Sequence, residues 1–373
     1  MAVNSNQKRP SGGARRKMTA KEYKAKKRKK MMIFGVELVV ILAMVAVLYV
    51  VMTQDALAEG PKVTVLEPEN LEIPDEVDEE ETMKGYMNVA LFGVDATTDS
   101  ELYKGSRSDS IMVASINMDT GDIKLVSVYR DTFLNVGTDY YRKCNYAYSV
   151  GGAEQAVKML NMNLDMNIEN FVTIGYKGLS EVIDGLGGVY IDVDSEELKH
   201  INNYQIGISE VLKTDYTPVK EAGYQLLDGL QATAYCRIRY TAGDDFKRAA
   251  RQREVIMAIE EQAKKTDLST LTKVFNEVID DVYTSFDSKL LLDLLGKIGK
   301  FRIVDQAGFP EESMRTVANI GAKGSSVIPV SLEDNVVWLH QFLFEDETYA
   351  VTNSVKEYSR QIEKETSQYI NKR

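Results

Sequence analysis

The hydrophobic pattern divides the chain into stretches of different character. Residues 31–52 (MMIFGVELVVILAMVAVLYVVM) are apolar apart from Glu37. As a helix this stretch rises roughly 33 Å, enough to cross a bilayer. Glu37 falls in the second turn, within reach of the interface. Residues 53–84 hold Pro61, Pro68, Pro74 and eleven Asp/Glu against Lys62 and Lys84. Repelling charges and stiff prolines predict an extended spacer, with an acidic surface loop as the other reading.

From Gly85 onward short apolar runs alternate with amphipathic segments. Asn88–Asp95 is apolar almost without a break, the mark of a buried strand. Ser110–Asn117 and Ile123–Val128 are two more strands, and the turn at Met118–Gly121 makes them a hairpin. A helix starts at Gly151–Leu160. Phe171–Tyr176 reads as a strand, Leu179–Leu186 as a short helix and Gly188–Val193 as a strand. Residues 200–222 are polar without a clear period. Tyr224–Tyr235 reads as a helix, and so does Asp245–Lys264, with an apolar stripe of Val255, Ile256 and Ile259. Two further helices fall near 268–283 and 287–300. Val327–Val330 contains Pro329 and can be at most a short edge strand. A helix over Leu332–Phe344 closes the packed part, and a charged tail occupies 351–373. The class is therefore α/β, or α+β, with a mixed central sheet flanked by helices after one N-terminal transmembrane helix. The body is expected over residues 85–350.

Charge sharpens this picture. Residues 1–30 hold 12 Lys/Arg and one Glu, so they carry +11; with a net charge of −11, the other 343 residues carry −22. A basic arm on an acidic body is not a nucleic-acid-binding domain. The run Lys26–Lys30 ahead of the apolar span, with acidic residues behind it, keeps the N-terminus in the cytoplasm and places the body outside. The arm then serves as a topology signal that touches anionic lipid at the cytoplasmic membrane. Ala56-Leu-Ala58 resembles a signal-peptide cleavage site, but the apolar run is too long for a signal peptide.

Candidate chemistry gathers at the ends of the apolar strands. His200 and His340 lie far from them in sequence, which speaks against a histidine triad or zinc site. Cys144 and Cys236 flank site segments on the external side, where a disulfide is as compatible with the sequence as two buried thiols. Asp95 ends a buried strand and Asp109 opens the next. Oxygen ligands without a nearby His or Cys suit a hard cation, most readily Mg²⁺ and also Mn²⁺; the alternative is two turn-capping carboxylates. Arg107, Arg130, Arg237, Arg239, Arg248 and Arg251 sit beside element ends, with Gln252 next to the last. Arg237 and Arg239, two apart, share one face if that segment is a strand. Arg248 near a helix N-terminus opposes the helix dipole unless an anion is there. Such arginines fit a diphosphate, and equally fit salt bridges to Asp244 or Asp245.

At these residues the chain resembles the LytR-CpsA-Psr family, the LCP proteins of Gram-positive cell walls. The matching stretches are Asn88–Asp95, Arg107-Ser-Asp109, Ser127-Val-Tyr-Arg-Asp131, Lys143–Tyr148 with Gly151-Gly152, Asp184–Val189, Asp228–Ala232, Arg237-Ile-Arg239 and Asp245–Gln252. They occur in the family's order over about residues 86–262. The resemblance implies an enzyme that moves a teichoic acid or capsular polysaccharide, as a glycosyl phosphate, from a polyprenyl diphosphate carrier to peptidoglycan. It implies Mg²⁺ on Asp95 and Asp109, and Arg130, Arg239 and Arg248 on the diphosphate with Arg107 and Arg237 in support. Asp245 and Asp131 are the candidates for the general base. Hydrolysis of the lipid diphosphate, or lipid binding by a non-catalytic envelope regulator, are the alternatives. An apolar tunnel for the prenyl chain is implied; Met159–Met166 either lines it or belongs to the core. Tyr129 stands where the family usually has proline. It keeps an N–H that either reaches a phosphate or extends the sheet.

Overall fold

The computed structural model describes residues 64, 66–78, 80–96, 102–239 and 244–370. The basic arm 1–30 and the apolar stretch 31–52 lie outside the described residues. Among those described, no helix is long and apolar enough to cross a membrane.

Among the described residues twelve strands and nine main helices follow one another. They are β1 (Tyr86–Val94), β2 (Ser108–Asn117), β3 (Asp122–Val128), β4 (Phe133–Asn135), β5 (Tyr141–Lys143), α1 (Tyr146–Leu164), β6 (Asn170–Ile174) and α2 (Tyr176–Gly185). Next come β7 (Val189–Val193), α3 (Ser195–Leu212), β8 (Gly223–Leu227), α4 (Gly229–Tyr235), α5 (Asp244–Lys265), α6 (Leu268–Val278) and β9 (Val282–Thr284). The chain ends with α7 (Ser288–Gly296), β10 (Arg302–Phe309), β11 (Arg315–Asn319), β12 (Ser325–Pro329), α8 (Leu332–Phe344) and α9 (Asn353–Ile370). The central sheet runs β10-β3-β2-β1-β6-β9. The β10–β3 and β1–β6 pairs are parallel and the others antiparallel, so the expected mixed sheet is present.

Both faces of this sheet are apolar, and each is covered. Ala90, Phe92, Ile111, Val113, Val126 and Val128 point to the main core, where α1, α8 and α9 pack. Leu91, Met112, Ala114 and Leu125 alternate with them and face Ile256 of α5. The period-2 geometry of strands thus makes a three-layer arrangement from nearly continuous apolar runs. Met159 and Met166 are fully buried in the main core, on the opposite side of the sheet from Leu91 and Met112.

Several segments differ from the sequence-based expectation. Residues 195–212 form α3, begun by a capping box in which Asp194 and Glu197 each bond the other's backbone N–H. Its buried stripe of Ile201, Gln205 and Ile208 includes a glutamine, which hides the period. Tyr224–Tyr235 is not one helix. A second capping box, Asp228 with Gln231, starts α4 only after β8 has ended. The edge strands β9 and β10 fall where the sequence suggested only helices or nothing regular. The described part of the expected spacer packs onto the domain: Leu71, Val77 and Met83 are buried in the main core. The C-terminal tail is also docked, with Val355, Ile362 and Thr366 of α9 buried. Cys144 and Cys236 are both buried and unbridged. His340 is buried against Tyr349, its Nε2 3.0 Å from the Leu164 carbonyl.

Tyr129 extends the sheet. Its N–H donates to the Phe309 carbonyl at 3.0 Å, a bond that proline could not make. Its ring lies over Gly308, where an added Cβ would sit 2.0 Å from the Tyr129 hydroxyl oxygen. Gly308→Ala is expected to cost about 1–3 kcal/mol by overpacking. Most of that loss should disappear in the Tyr129→Ala/Gly308→Ala double variant, measured by denaturant unfolding; equal losses in both backgrounds would refute the contact.

Burial pushes the His340 imidazole down to about 4. The unfolded chain takes up this proton near pH 6.5 and the folded chain only near 4. The stability is therefore complete above pH 6.5 and lost as the pH falls toward 4, by about 3 kcal/mol in all. Thermal unfolding should show a flatter acid slope in His340→Gln than in the parent.

Candidate active site

Strands β1 and β3 run the same way, and β2 begins where they end. Asp95, Asp109 and Arg130-Asp131 are thereby delivered to one end of the sheet. A β-bulge sets the angle of Asp109. Gly93 pairs with Ser110 and Val94 with Ser108, so Asp109 is the extra residue and is turned out of the ladder.

The side chains close into a charged network. Arg130 Nη1 donates to Asp109 Oδ1 at 2.6 Å, and the same guanidinium lies 3.8 Å from Asp245 Oδ1 and 4.0 Å from Asp131 Oδ1. Asp245, in the first turn of α5, also receives Arg248 at 2.9 Å and Arg239 at 3.5 Å. One carboxylate thus faces three guanidiniums. Arg237 is 3.7 Å from Asp95, and its guanidinium lies 4.3 Å above the Tyr176 ring. Asp131 is 3.2 Å from Lys143 Nζ. The Arg248–Asp245 salt bridge that the sequence allowed is present, but as one edge of this network.

The arginines differ in how well they are neutralised. Burial lowers the Arg130 pKa, but the carboxylates of Asp109, Asp245 and Asp131 outweigh it and leave it raised. Arg248, only 4% exposed, is lowered by burial and then by the charge of Arg130, which Asp245 does not make good. A buried guanidinium short of negative charge is a place for an anion.

Beside this network opens an apolar pocket of about 230 Å³ between the sheet and α5. Leu91, Met112, Val172, Ile174, Val255 and Ile256 line it, and Arg237, Arg239 and Arg248 stand with Asp109 among its polar wall. Gln252 borders both this pocket and a smaller cleft at Arg130, Asp131 and Asp245.

Two proposed site residues lie apart. Arg107 is exposed on the approach to β2. Arg251 is buried away from the pocket: its Nε donates to Glu197 Oε1 at 2.6 Å and its Nη1 to the Ile238 carbonyl at 3.0 Å. Three residues after Arg248 it starts from nearly the same side of α5, but Glu197 and the Ile238 carbonyl draw its guanidinium away from the pocket. It fixes the backbone between Arg237 and Arg239 instead of facing a ligand. That segment is a turn followed by irregular backbone, not a paired strand, yet Ile238 is buried while both arginines border the pocket. Sequence reasoning missed Tyr176, Lys143 and Phe246, together with Arg315. The Arg315 guanidinium stacks 4.1 Å from the Phe246 ring and donates to Tyr129 Oη at 3.2 Å. Only the adjacency of Tyr129 to Arg130 and of Phe246 to Asp245 hinted at them.

The fold and the charged strand ends are those of a known class of protein, as comparison with known proteins shows. The LytR_cpsA_psr family model matches residues 47–332, and the chain belongs to that family. A polyisoprenyl-teichoic acid–peptidoglycan teichoic acid transferase, TagU of Enterococcus faecalis, is 31% identical over 222 residues, covering 58% of this chain and 68% of TagU. TagT of Bacillus subtilis, of the same printed name, is 28% identical over 251 residues, 67% of this chain and 71% of TagT. A solved structure titled TagT bound to LIIa-WTA superposes with a TM-score of 0.52 at 20% identity, over 83% of this chain and 97% of that one, which supports the fold.

Removing Glu197 leaves Arg251 buried without its carboxylate. Glu197→Ala is expected to lower stability by about 3–5 kcal/mol, as for other broken buried pairs. Arg251→Met should be tolerated far better in the Glu197→Ala background than alone, and denaturant unfolding of the four proteins checks this.

Proposed function

We propose that the chain transfers an anionic glycopolymer, of teichoic acid or capsular type, as a glycosyl phosphate from a polyprenyl diphosphate carrier to peptidoglycan. One observation carries this reading: an apolar pocket shares its wall with three arginines. A prenyl tail and a diphosphate head are the two halves of such a ligand. The names of the transferase relatives point the same way.

In this reaction an acceptor sugar hydroxyl attacks the phosphorus that bears the glycopolymer. The new O–P bond forms as the bond to the bridging oxygen breaks, and polyprenyl phosphate leaves. Arg130, Arg239 and Arg248 hold the diphosphate and its developing charge, with Arg237 behind them and Arg107 in an outer supporting place. Asp245 takes the hydroxyl proton, because it stands among the three arginines that hold the diphosphate, with Asp131 the other candidate.

Asp95 and Asp109 are proposed to hold Mg²⁺ or Mn²⁺. Asp95 follows the end of β1 and Asp109 sits in the bulge at the start of β2, the strand paired with it, so both carboxylates belong to one end of the sheet. Among the described residues no three His, Cys, Asp or Glu could hold a metal together. Two carboxylates suit Mg²⁺, which completes its shell with phosphate oxygens and water. When bound, it would neutralise charge on the diphosphate. The protein is proposed to be anchored by residues 31–52, with its N-terminus in the cytoplasm and the domain outside.

The test uses full-length protein in vesicles with a polyprenyl diphosphate-linked polymer and a peptidoglycan acceptor. Arg130→Ala and Asp109→Ala should each lower transfer by roughly 100-fold or more, with the unfolding transition little changed. Polymer phosphate joined to the acceptor, with polyprenyl phosphate released, supports transfer. Free polymer phosphate made equally well without acceptor would mean hydrolysis. Undiminished activity in both variants would remove the catalytic assignment.

A further inference from the structure

The helix α7 is out of keeping with the rest of the fold. Its sequence, Ser-Lys-Leu-Leu-Leu-Asp-Leu-Leu-Gly, holds five leucines in nine residues, yet none of Lys289–Gly296 is fully buried. By contrast, the thirteen-residue α8 buries seven of its side chains. Leu290 of α7 is 39% exposed, and only Leu295 and the following Ile298 pack against a small satellite cluster. The Leu268 side chain that opens α6 is 57% exposed.

The charge around this helix is also out of keeping. Residues 288–302 hold Lys289, Lys297, Lys300 and Arg302 against Asp293 alone, within a strongly acidic body. Lys297 pairs with Asp293 and Arg302 with Asp122. Among the described residues Lys289 and Lys300 make no ion pair. A leucine face fringed by surplus lysines, on a protein of the opposite sign, suits an anionic lipid surface.

Topology places this helix at the end of the sheet away from the charged site. Arg302 pairs with Asp122 at the start of β3, and its N–H donates to the Gly121 carbonyl at 2.9 Å. Seven residues of β3 then climb roughly 23 Å before Arg130 is reached. Helix α5 runs the other way, from Arg248 at the site to Lys265 just before α6. The chain also enters the domain here. The Thr64 N–H donates to the Thr284 carbonyl at 3.1 Å, three residues before Asp287 caps α7. The apolar stretch 31–52 ends twelve residues before Thr64 in sequence.

We propose that α7 and the turn up to Phe301 form an interfacial lipid-contact surface, with the leucines in the headgroup–acyl boundary of an anionic leaflet. The arginine-lined mouth is then held away from the bilayer while the base of the domain rests on it. The orientation rests on the membrane-anchored polyprenyl reading above; the exposure of Leu290 and Leu268, the half-buried state of the other α7 leucines and the surplus lysines do not.

The experiment separates the two. Full-length protein in which the single Trp338 is replaced by Phe receives one new probe, Leu290→Trp or, in the apolar stretch, Leu42→Trp. Each is reconstituted into phosphatidylglycerol vesicles carrying brominated acyl chains. The Leu290→Trp probe should lose at least half its fluorescence, independently of protein concentration. An unquenched Leu290→Trp probe beside a quenched Leu42→Trp probe would overturn the proposal and leave the anchor standing. Quenching at Leu290→Trp alone would support the surface and remove the anchor. No quenching at either position would overturn both, and quenching at Leu290→Trp that appears only on dilution of the protein would assign the face to a second copy. In a second arm, Leu290→Asp/Leu294→Asp should lower transfer from a long-chain donor in vesicles about tenfold, with transfer from a water-soluble short-chain donor unchanged. Equal loss on both donors would mean a structural effect and overturn the proposal.

Discussion

Asp245 sets the terms of the whole site. Three guanidiniums around one carboxylate repel one another, and at an effective dielectric near 20 each pair of unit charges 4 Å apart costs about 4 kcal/mol. Asp245 offsets part of this, and Asp109 offsets more of it at Arg130. What remains uncompensated settles on Arg248, where burial and the charge of Arg130 both weaken the cation. The site is thus assembled with a deficit of negative charge at its centre. The bulge that turns Asp109 outward and the buried Glu197–Arg251 pair that steadies Ile238 both serve to hold this unfavourable grouping in place.

The same helix that carries the deficit also builds the pocket. Arg248 and Gln252 lie toward the start of α5 and Val255 and Ile256 about two turns further along, all on the surface that faces the sheet. A ligand with a charged head and an apolar tail is therefore read by one rigid element. The two-sided sheet makes this possible. One face is filled by α1 and α8, while α5 covers the other incompletely, at Leu91 and Met112.

Much of this was legible in the sequence, and what was not has definite causes. The nearly unbroken apolar run of β1 announced a strand buried on both faces, and Asp95, Asp109, Arg130, Arg239, Asp245 and Arg248 do gather at one end of the sheet. Arg251 shares a motif with Arg248 but stands apart from the pocket, because Glu197 and the Ile238 carbonyl take its guanidinium. Its partner, Glu197, comes from a helix whose stripe is broken by Gln205. The hidden strand β8 was lost because Tyr224 and Leu226 face solvent, so only Leu227 marks a buried side. The docking of Leu71, Val77 and Met83 was masked by the acidic residues around them. No local signal could pair Arg315 with Phe246, almost seventy residues apart.

The contact between Tyr129 and Gly308 has a bearing on how such chains diverge. The aromatic ring fills the space above the glycine, so the two positions cannot drift independently. A lineage that carries proline at 129 has that space open and also lacks the N–H that binds β10. Passage from tyrosine to proline therefore has a preferred order: position 129 must give up its ring before position 308 can gain a side chain. In the reverse direction, glycine must be in place first. The combination that the contact disfavours is tyrosine at 129 with a side chain at 308.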